Sequence, residues 1–293
     1  MKFSISAAVM ASAMMVSSAL ADSVAIELAN PQAKDQALSA MALPVPSRGI
    51  LASVAIVGSD PSKAQLVLAD GNKDLKLLAF DDVSRIALYE LPESLKSADK
   101  VKFGNGSMLE PAQALYLDHD DQNKVSRLVS KDKRFQGKVL PLALYRVNHD
   151  GELPVAGSPI YNEAGDMVAL VHQPAYDVEG CTYALPIEVL MRAIDVSQDQ
   201  GRVARCWIGI AMELQNEAPV VVGVRPASPA RKAGIVKGDV IISVGDRQTS
   251  DYADVVDAFY YLVSGEAVKF KVLRGTQLVE LDVTPELVPG MTP

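Results

Sequence analysis

Val221–Asp246 reads VVGVRPASPARKAGIVKGDVIISVGD, and its punctuation dictates a local fold. An apolar β-branched run ends at Val224. Ser228 can accept a backbone N–H as a helix cap, and Pro229 suits the first helical position because its missing N–H would have no partner there. The short helix stops at Ala233, where Gly234 supplies the left-handed residue that a helix end favours. Gly238-Asp239 then turns the chain into a second apolar run, Val240–Val244. Outward from this core, Ile208–Met212, Val220–Val224, Val268–Leu273 and Leu278–Val283 read as strands, and Tyr252–Val263 reads as an amphipathic helix. Residues 203–288 therefore read as a self-contained α+β module, with a boundary near Gly201–Arg205.

The module resembles the PDZ domain of the HtrA family, and the 26-residue stretch quoted above matches the family pattern almost position by position. Just upstream, Arg205-Cys206-Trp207-Ile208-Gly209-Ile210 resembles the segment that carries the carboxylate-binding loop. The resemblance implies that backbone N–H groups around Trp207, Ile208, Gly209 and Ile210 receive the end of an extended peptide, with the next strand pairing along it. Val255, Ala258, Phe259 and Leu262 of the helix would form the other wall, or else simply pack the module's core.

Upstream of residue 203 the pattern is that of short strands and turns. Gly49–Val57, Gln65–Ala69, Asp74–Phe80, Ile86–Leu91, Ala112–Leu117, Val139–Tyr145, Ile160–Asn162, Met167–His172 and Thr182–Leu185 are the apolar runs, and Asp70-Gly71 is a hairpin signal. Ile187–Gln198 reads as a helix stopped at Gly201. Residues 22–47 are alanine-rich and free of aromatic residues, and read as a linker segment: a short helix ending in Pro44-Val45-Pro46. The order of Arg85-Ile86-Ala87-Leu88-Tyr89, then Ala156-Gly157-Ser158-Pro159-Ile160-Tyr161-Asn162, then Tyr183-Ala184-Leu185-Pro186-Ile187 is similar to that of HtrA protease domains. The resemblance implies a mainly β chain: a chymotrypsin-like double β-barrel (residues 48–202) followed by the α+β PDZ domain.

That fold performs acyl transfer with a serine, a histidine and a carboxylate in register. Here the family's nucleophile position falls on Ala156, within Pro154-Val155-Ala156-Gly157-Ser158. The histidine position falls on Ala55 or its neighbour Ile56, and the carboxylate on Arg85, which reverses the charge. A methyl group cannot attack a carbonyl, and a guanidinium disfavours the imidazolium that a carboxylate would stabilise. Ser158 lies two positions beyond the nucleophile slot and reads as a loop hydroxyl. His172 follows a nearby strand, but the sequence gives the pair no reason to meet.

Composition bounds the rest. With 49% hydrophobic and 22% charged residues the chain is globular, and a net charge of -8 disfavours nucleic acid and anionic membranes as partners. Residues 1–21 have Lys2, a charge-free apolar run and Ala19-Leu20-Ala21, the pattern of a secretory signal cleaved after Ala21; the alternative is an uncleaved anchor. The expected location is the periplasm or the exterior. Cys181 and Cys206 read as a disulfide or as two buried, independent thiols. His119, His149 and His172 stand singly, as structural or surface residues. No metal-ligand spacing or cofactor motif is present. The expected function is an HtrA-like pseudoprotease that binds extended or C-terminal peptides of envelope proteins; the alternative is an active serine endopeptidase. Family members commonly form trimers through aromatic residues near the mature N-terminus, a feature the aromatic-free residues 22–47 lack.

Overall fold

A computed structural model describes residues 23–33, 36–97, 101–117, 125–213 and 218–288. Residues 1–21, expected to be a secretory signal, and His119 lie outside them. The first sheet contains β1 (Val24–Ala29), β2 (Leu38–Val45), β3 (Ile50–Val54), β4 (Asp60–Leu66), β5 (Lys73–Asp74), β6 (Leu77–Phe80) and β7 (Ile86–Glu90). Its order is β5-β4-β1-β2-β3-β7-β6. The Asp70-Gly71 hairpin joins β4 to β5, with Gln65 opposite Asp74. The expected strand 74–80 is broken, because β6 leaves β5 to pair with β7.

Residues 22–47 are not the linker expected from the sequence. β1 and β2 pair antiparallel, and β2 continues onto β3. Period-two alternation from residue 24 to Met41 explains the difference: Ile26, Leu28 and Ala40 are sealed in the core while their neighbours are less buried, and Ala42–Val45 then continue as a fully buried run. Alanine fills the crowded interior, so no aromatic residue is needed to make these strands bury.

The second sheet closes into a six-stranded barrel. It consists of β8 (Ala114–Tyr116), β9 (Val125–Phe135), β10 (Lys138–Asn148), β11 (Pro159–Tyr161), β12 (Met167–Pro174) and β13 (Cys181–Pro186), in the order β10-β13-β12-β11-β8-β9. Helix α1 (Ile187–Gln200) follows without a break and ends at Gly201, whose φ of 70° is left-handed. The fold is mainly β and chymotrypsin-like.

The remaining strands are β14 (Cys206–Trp207), β15 (Ile210–Met212), β16 (Val221–Val224), β17 (Val240–Val244), β18 (Arg247–Gln248), β19 (Val268–Arg274), β20 (Gln277–Val283) and β21 (Glu286–Leu287). With α2 (Pro229–Ala233) and α3 (Tyr252–Tyr260) they surround a separate core that includes Val221, Ile241, Val255, Phe270 and Val283. Ser228 caps α2 by accepting from the Arg231 N–H, and Gly234 ends it at φ 88°. A capping box of Asp251 and Asp254 starts α3.

Helix α3 is buried on a second face as well, against β9 and β10. The Ala143 N–H donates to Asp257 Oδ1 at 2.8 Å, and Lys131 and Arg247 approach the same carboxylate at 3.5 and 3.6 Å. Lys133 pairs with Asp254 at 2.5 Å. Tyr260 donates to the buried Asp81 at 2.6 Å, and the Arg192 guanidinium lies 4.6 Å from the Tyr260 ring centre. The two cysteines are free thiols. Cys181 packs with Ala175 and Tyr183 in the second barrel, whereas Cys206 belongs to the α+β core and donates to the Leu262 carbonyl at 3.2 Å. The proposed disulfide is therefore not formed, because the thiols serve different cores.

Removing the Asp257 carboxylate strands the Ala143 N–H and two cations that face it. Asp257→Ala is expected to cost about 3 kcal/mol, as for a broken buried pair. Urea unfolding of the full chain measures this, and a loss under about 0.5 kcal/mol, the level of an ordinary surface change, would contradict the assigned role.

Candidate functional site

The loop between β14 and β15 is shaped by Gly209. Its φ is 82°, and a Cβ there would lie 2.3 Å from Ser228 Cβ and 2.9 Å from the Trp207 ring. Only glycine fits. On either side, carbonyls turn inward: the Ile208 carbonyl accepts from the Ala230 N–H at 2.9 Å, and the Gly209 carbonyl from the Arg225 N–H at 2.8 Å. Ile208 itself is core, 2% exposed, so its side chain has no part in a groove. Among the described residues, no acceptor meets the N–H groups of Ile208 and Gly209.

Strand pairing governs the next N–H. Ile210 lies opposite Val224, one step along from the bonded pair Gly209 and Arg225. Bonded and non-bonded pairs alternate in an antiparallel ladder, so the N–H and C=O of Ile210 point away from β16. That edge of β15 pairs with no strand among the described residues. The arrangement presents a donor cluster followed by an open strand edge, which is what an extended chain ending in a carboxylate can use.

Of the four helix residues, three follow the sequence reading in which they pack the core. Val255 and Leu262 are 0% and 4% exposed and belong to the core, as does Ala258. Phe259 does line a cavity of about 140 Å³ beside Cys206, but its companion is Val256. Val83, Pro141 and Arg192 close the far side, so this cavity is built jointly by the α+β unit and the barrels. The sequence missed Val256 because one apolar stripe was sought on a helix that packs on two faces. The i, i+3 spacing of Val256 and Phe259 was the available signal.

In the barrels, the three positions of interest are tied together through the backbone. The Ala55 N–H donates to the Arg85 carbonyl at 2.9 Å, and Arg85 Nε returns a bond to the Ala55 carbonyl at 2.7 Å. Arg85 holds a left-handed φ of 63°, fixed by a 2.7 Å bond from its N–H to the Asp81 carbonyl. Ala156 reaches the same region from the second barrel: its carbonyl accepts from Met41 N–H at 2.8 Å, and the Met41 carbonyl accepts from Ser53 Oγ at 2.6 Å. Gly157, at φ 82°, lies so near that a Cβ would be 2.0 Å from the Met41 oxygen. Ser158 spends its carbonyl on the Val171 N–H at 2.9 Å.

His172 occupies a bulge in β12, between paired Val171 and Gln173. It is buried, and its Nδ1 has no partner. Burial, and then the nearby Arg85 charge, push its pKa down to about 4. A serine and a histidine do meet elsewhere. Ser126 Oγ lies 2.8 Å from His149 Nδ1, and Thr182 Oγ1 lies 2.7 Å from His149 Nε2. All three are buried in the wall of the second barrel, and both ring nitrogens are occupied by hydroxyls. This cluster clips β9 to β13; no carboxylate orients the ring. Neither described histidine is a surface residue.

Comparisons with known proteins agree with this architecture. The PDZ-domain family profile matches residues 206–284. A probable periplasmic serine endoprotease DegP-like of Marinomonas sp. (strain MWYL1) is 25% identical over 250 residues, covering 78% of this chain and 50% of the relative. Its counterpart in Pseudomonas putida (strain GB-1) is 28% identical over 249 residues, covering 78% and 49%. The solved HtrA-type protease AlgW with tripeptide superposes over 92% of this chain and 94% of its own, with a TM-score of 0.64 at 17% identity. The chain is similar to HtrA/DegP-like proteins over most of its length. This HtrA/DegP-like chain spans about half the length of the curated relatives it matches. The serine endoprotease from Yersinia pestis shares its fold too, with a TM-score of 0.58 at 16% identity over 91% of this chain and 94% of that one.

Both described histidines have a pKa of about 4, lowered by burial. The unfolded chain, with an ordinary histidine pKa of about 6.5, binds more protons than the folded one between pH 6.5 and 4. Stability is therefore full above about pH 6.5 and falls as the pH drops toward 4, by up to roughly 3 kcal/mol per histidine. Proton NMR of the imidazole rings should show neither His149 nor His172 titrating between pH 7.5 and 5.5. A midpoint near 6.5 for either would contradict the burial argument.

Proposed function

We propose that this protein is an exported HtrA-like pseudoprotease whose PDZ domain, residues 203–288, captures the ends of extended peptides from envelope proteins. The observation that carries the reading is the loop of Ile208, Gly209 and Ile210: N–H groups without acceptors lead into an unpaired strand edge. Such donors favour a carboxylate, because a protein donor left unpaired costs more than one exchanged between ligand and water. An HtrA-type protease of the same fold has been solved with a tripeptide, which supports peptide as the ligand class.

The pseudoprotease part of the reading rests on chemistry in the barrel cleft. Alanines at 55 and 156 offer neither base nor nucleophile, and Arg85 offers the wrong charge. The neutral His172 nearby has no carboxylate or serine bonded to it. Export is inferred from residues 1–21 and from relatives described as periplasmic, with cleavage after Ala21 as part of the proposal. A role as adaptor, holding chaperone or regulator of an active relative follows from binding without turnover.

The relatives' description as serine endoproteases favours the second reading, an active endopeptidase. A fluorophosphonate probe separates the two: no serine of the folded chain should be labelled, and specific labelling of one would establish the enzyme. Peptide capture is tested by calorimetry on the full chain. Amidating the C-terminus of a ligand peptide should weaken binding about tenfold or more, as for a lost charge-assisted bond. Ile210→Pro, which deletes an N–H the sheet does not use, should abolish it. Equal affinity for free and amidated ends would overturn the proposal.

A further inference from the structure

We propose that the cleft between the barrels is a second binding site, one that takes an acidic side chain within an extended, otherwise apolar polypeptide. It goes beyond the PDZ reading and does not depend on it, since it recruits no residue after 172.

The centre of the site is Arg85. Its guanidinium is half-buried, and among the described residues the only bond it makes is from Nε to the Ala55 carbonyl. Burial alone bears on its proton affinity, and no carboxylate among the described residues offsets its charge. This sets it apart from Arg146, Arg205 and Arg274, each of which pairs with an aspartate. The two acids nearest in sequence are engaged elsewhere: Asp82 pairs with Arg205 at 3.1 Å, and Asp81 accepts from the Ser84 and Tyr260 hydroxyls at 2.7 and 2.6 Å. A cation held out of water without a partner is costly, and a ligand carboxylate offsets that cost with charge-assisted bonds.

His172 supplies a second, independent sign of incompleteness. Its Nδ1 is sealed from solvent yet unbonded, on a strand that packs against β3, where Ala55 follows. A buried polar atom without a partner is rare in a finished core, and here it lies within reach of the Arg85 field. The ring stays neutral, so it adds no competing charge and leaves Arg85 as the recognition group.

Exposed apolar residues stand close in sequence to both Ala55 and Ala156. Val57, two residues beyond Ala55, is 61% exposed, and Leu153 and Val155, just before Ala156, are 39% and 43% exposed. Exposed apolar residues on the segments of Ala55, which bonds Arg85, and of Ala156, which bonds the first barrel, suit a chain that runs through the cleft with apolar groups outermost and one acid between them. A chain terminus is the less suitable carboxylate source, because exposed apolar residues on both segments call for polypeptide on either side of the acid.

The test uses the full chain and an N-terminally labelled, C-terminally amidated nonapeptide in which valine and threonine alternate around a central glutamate. Amidation removes the end-group that the PDZ loop would hold. Fluorescence anisotropy should show this peptide binding about ten- to a hundredfold tighter than its glutamine counterpart. Arg85→Asn should erase the difference, because asparagine tolerates the left-handed backbone while losing the charge; Arg85→Lys should retain part of it. Ile210→Pro should leave it intact, which separates this site from the PDZ loop. Equal affinity of the two peptides for the unaltered chain would overturn the proposal without recourse to any variant. So would a preference that survives Arg85→Asn in a chain whose circular dichroism is unchanged.

Discussion

The close approach of the Gly209 backbone to Ser228 is the constraint on which the binding loop depends. With a Cβ 2.3 Å from another Cβ, no other residue could let the chain pass there. That passage turns the Ile208 and Gly209 carbonyls inward, onto the N–H groups of Ala230 and Arg225. The N–H groups are left outward by the same geometry. The donor cluster is thus a by-product of tight packing between a loop and a capped helix, and it needs no charged side chain. Recognition by backbone tolerates varied ligand sequence.

A similar device operates between the barrels. Gly157 brings the turn that carries Ala156 onto the Met41 carbonyl, while Ser53 bonds the same oxygen. The turn is thereby fastened to the first barrel from below. Arg85 is fastened from the other side through Ala55 and Asp81. The backbone around Ala55, Arg85 and Ala156 is therefore held by contacts from both barrels. The α3 seam adds a further link, since Asp257 and Tyr260 bond directly to the barrels. A cavity beside Phe259 thus has walls from both halves of the chain.

Where structure followed from short-range signals, the sequence was legible. Ser228, Pro229, Gly234 and Gly238 each act within a few residues of themselves, and the elements they bound lie where the punctuation places them. Long-range effects were not legible. β1 and β2 lack aromatics, and the apolar run 40–45 of β2 is rich in alanine and broken by Pro44, yet these small and aliphatic side chains suffice once β3 and β4 supply partners. β9 is hard to read because Lys131, Asp132, Lys133 and Arg134 crowd its end; Lys131 and Lys133 find Asp257 and Asp254 on the distant α3, and Asp132 finds Arg146 on the neighbouring β10. Of the site, the loop residues could be read from their resemblance to a known pattern. Val256 could not, because the second packing face of α3 is set by the barrel, and the cation of Arg85 gains its meaning only from what fails to surround it.

The most direct measurement is the amide NMR spectrum of the full chain during titration with an unlabelled peptide bearing a free C-terminus. The account predicts that the Ile208, Gly209 and Ile210 amide protons move downfield as they gain an acceptor, and that the peptide is recovered with its mass unchanged. Unmoved amides at these three positions with a bound peptide, or recovery of cleaved fragments, would contradict it.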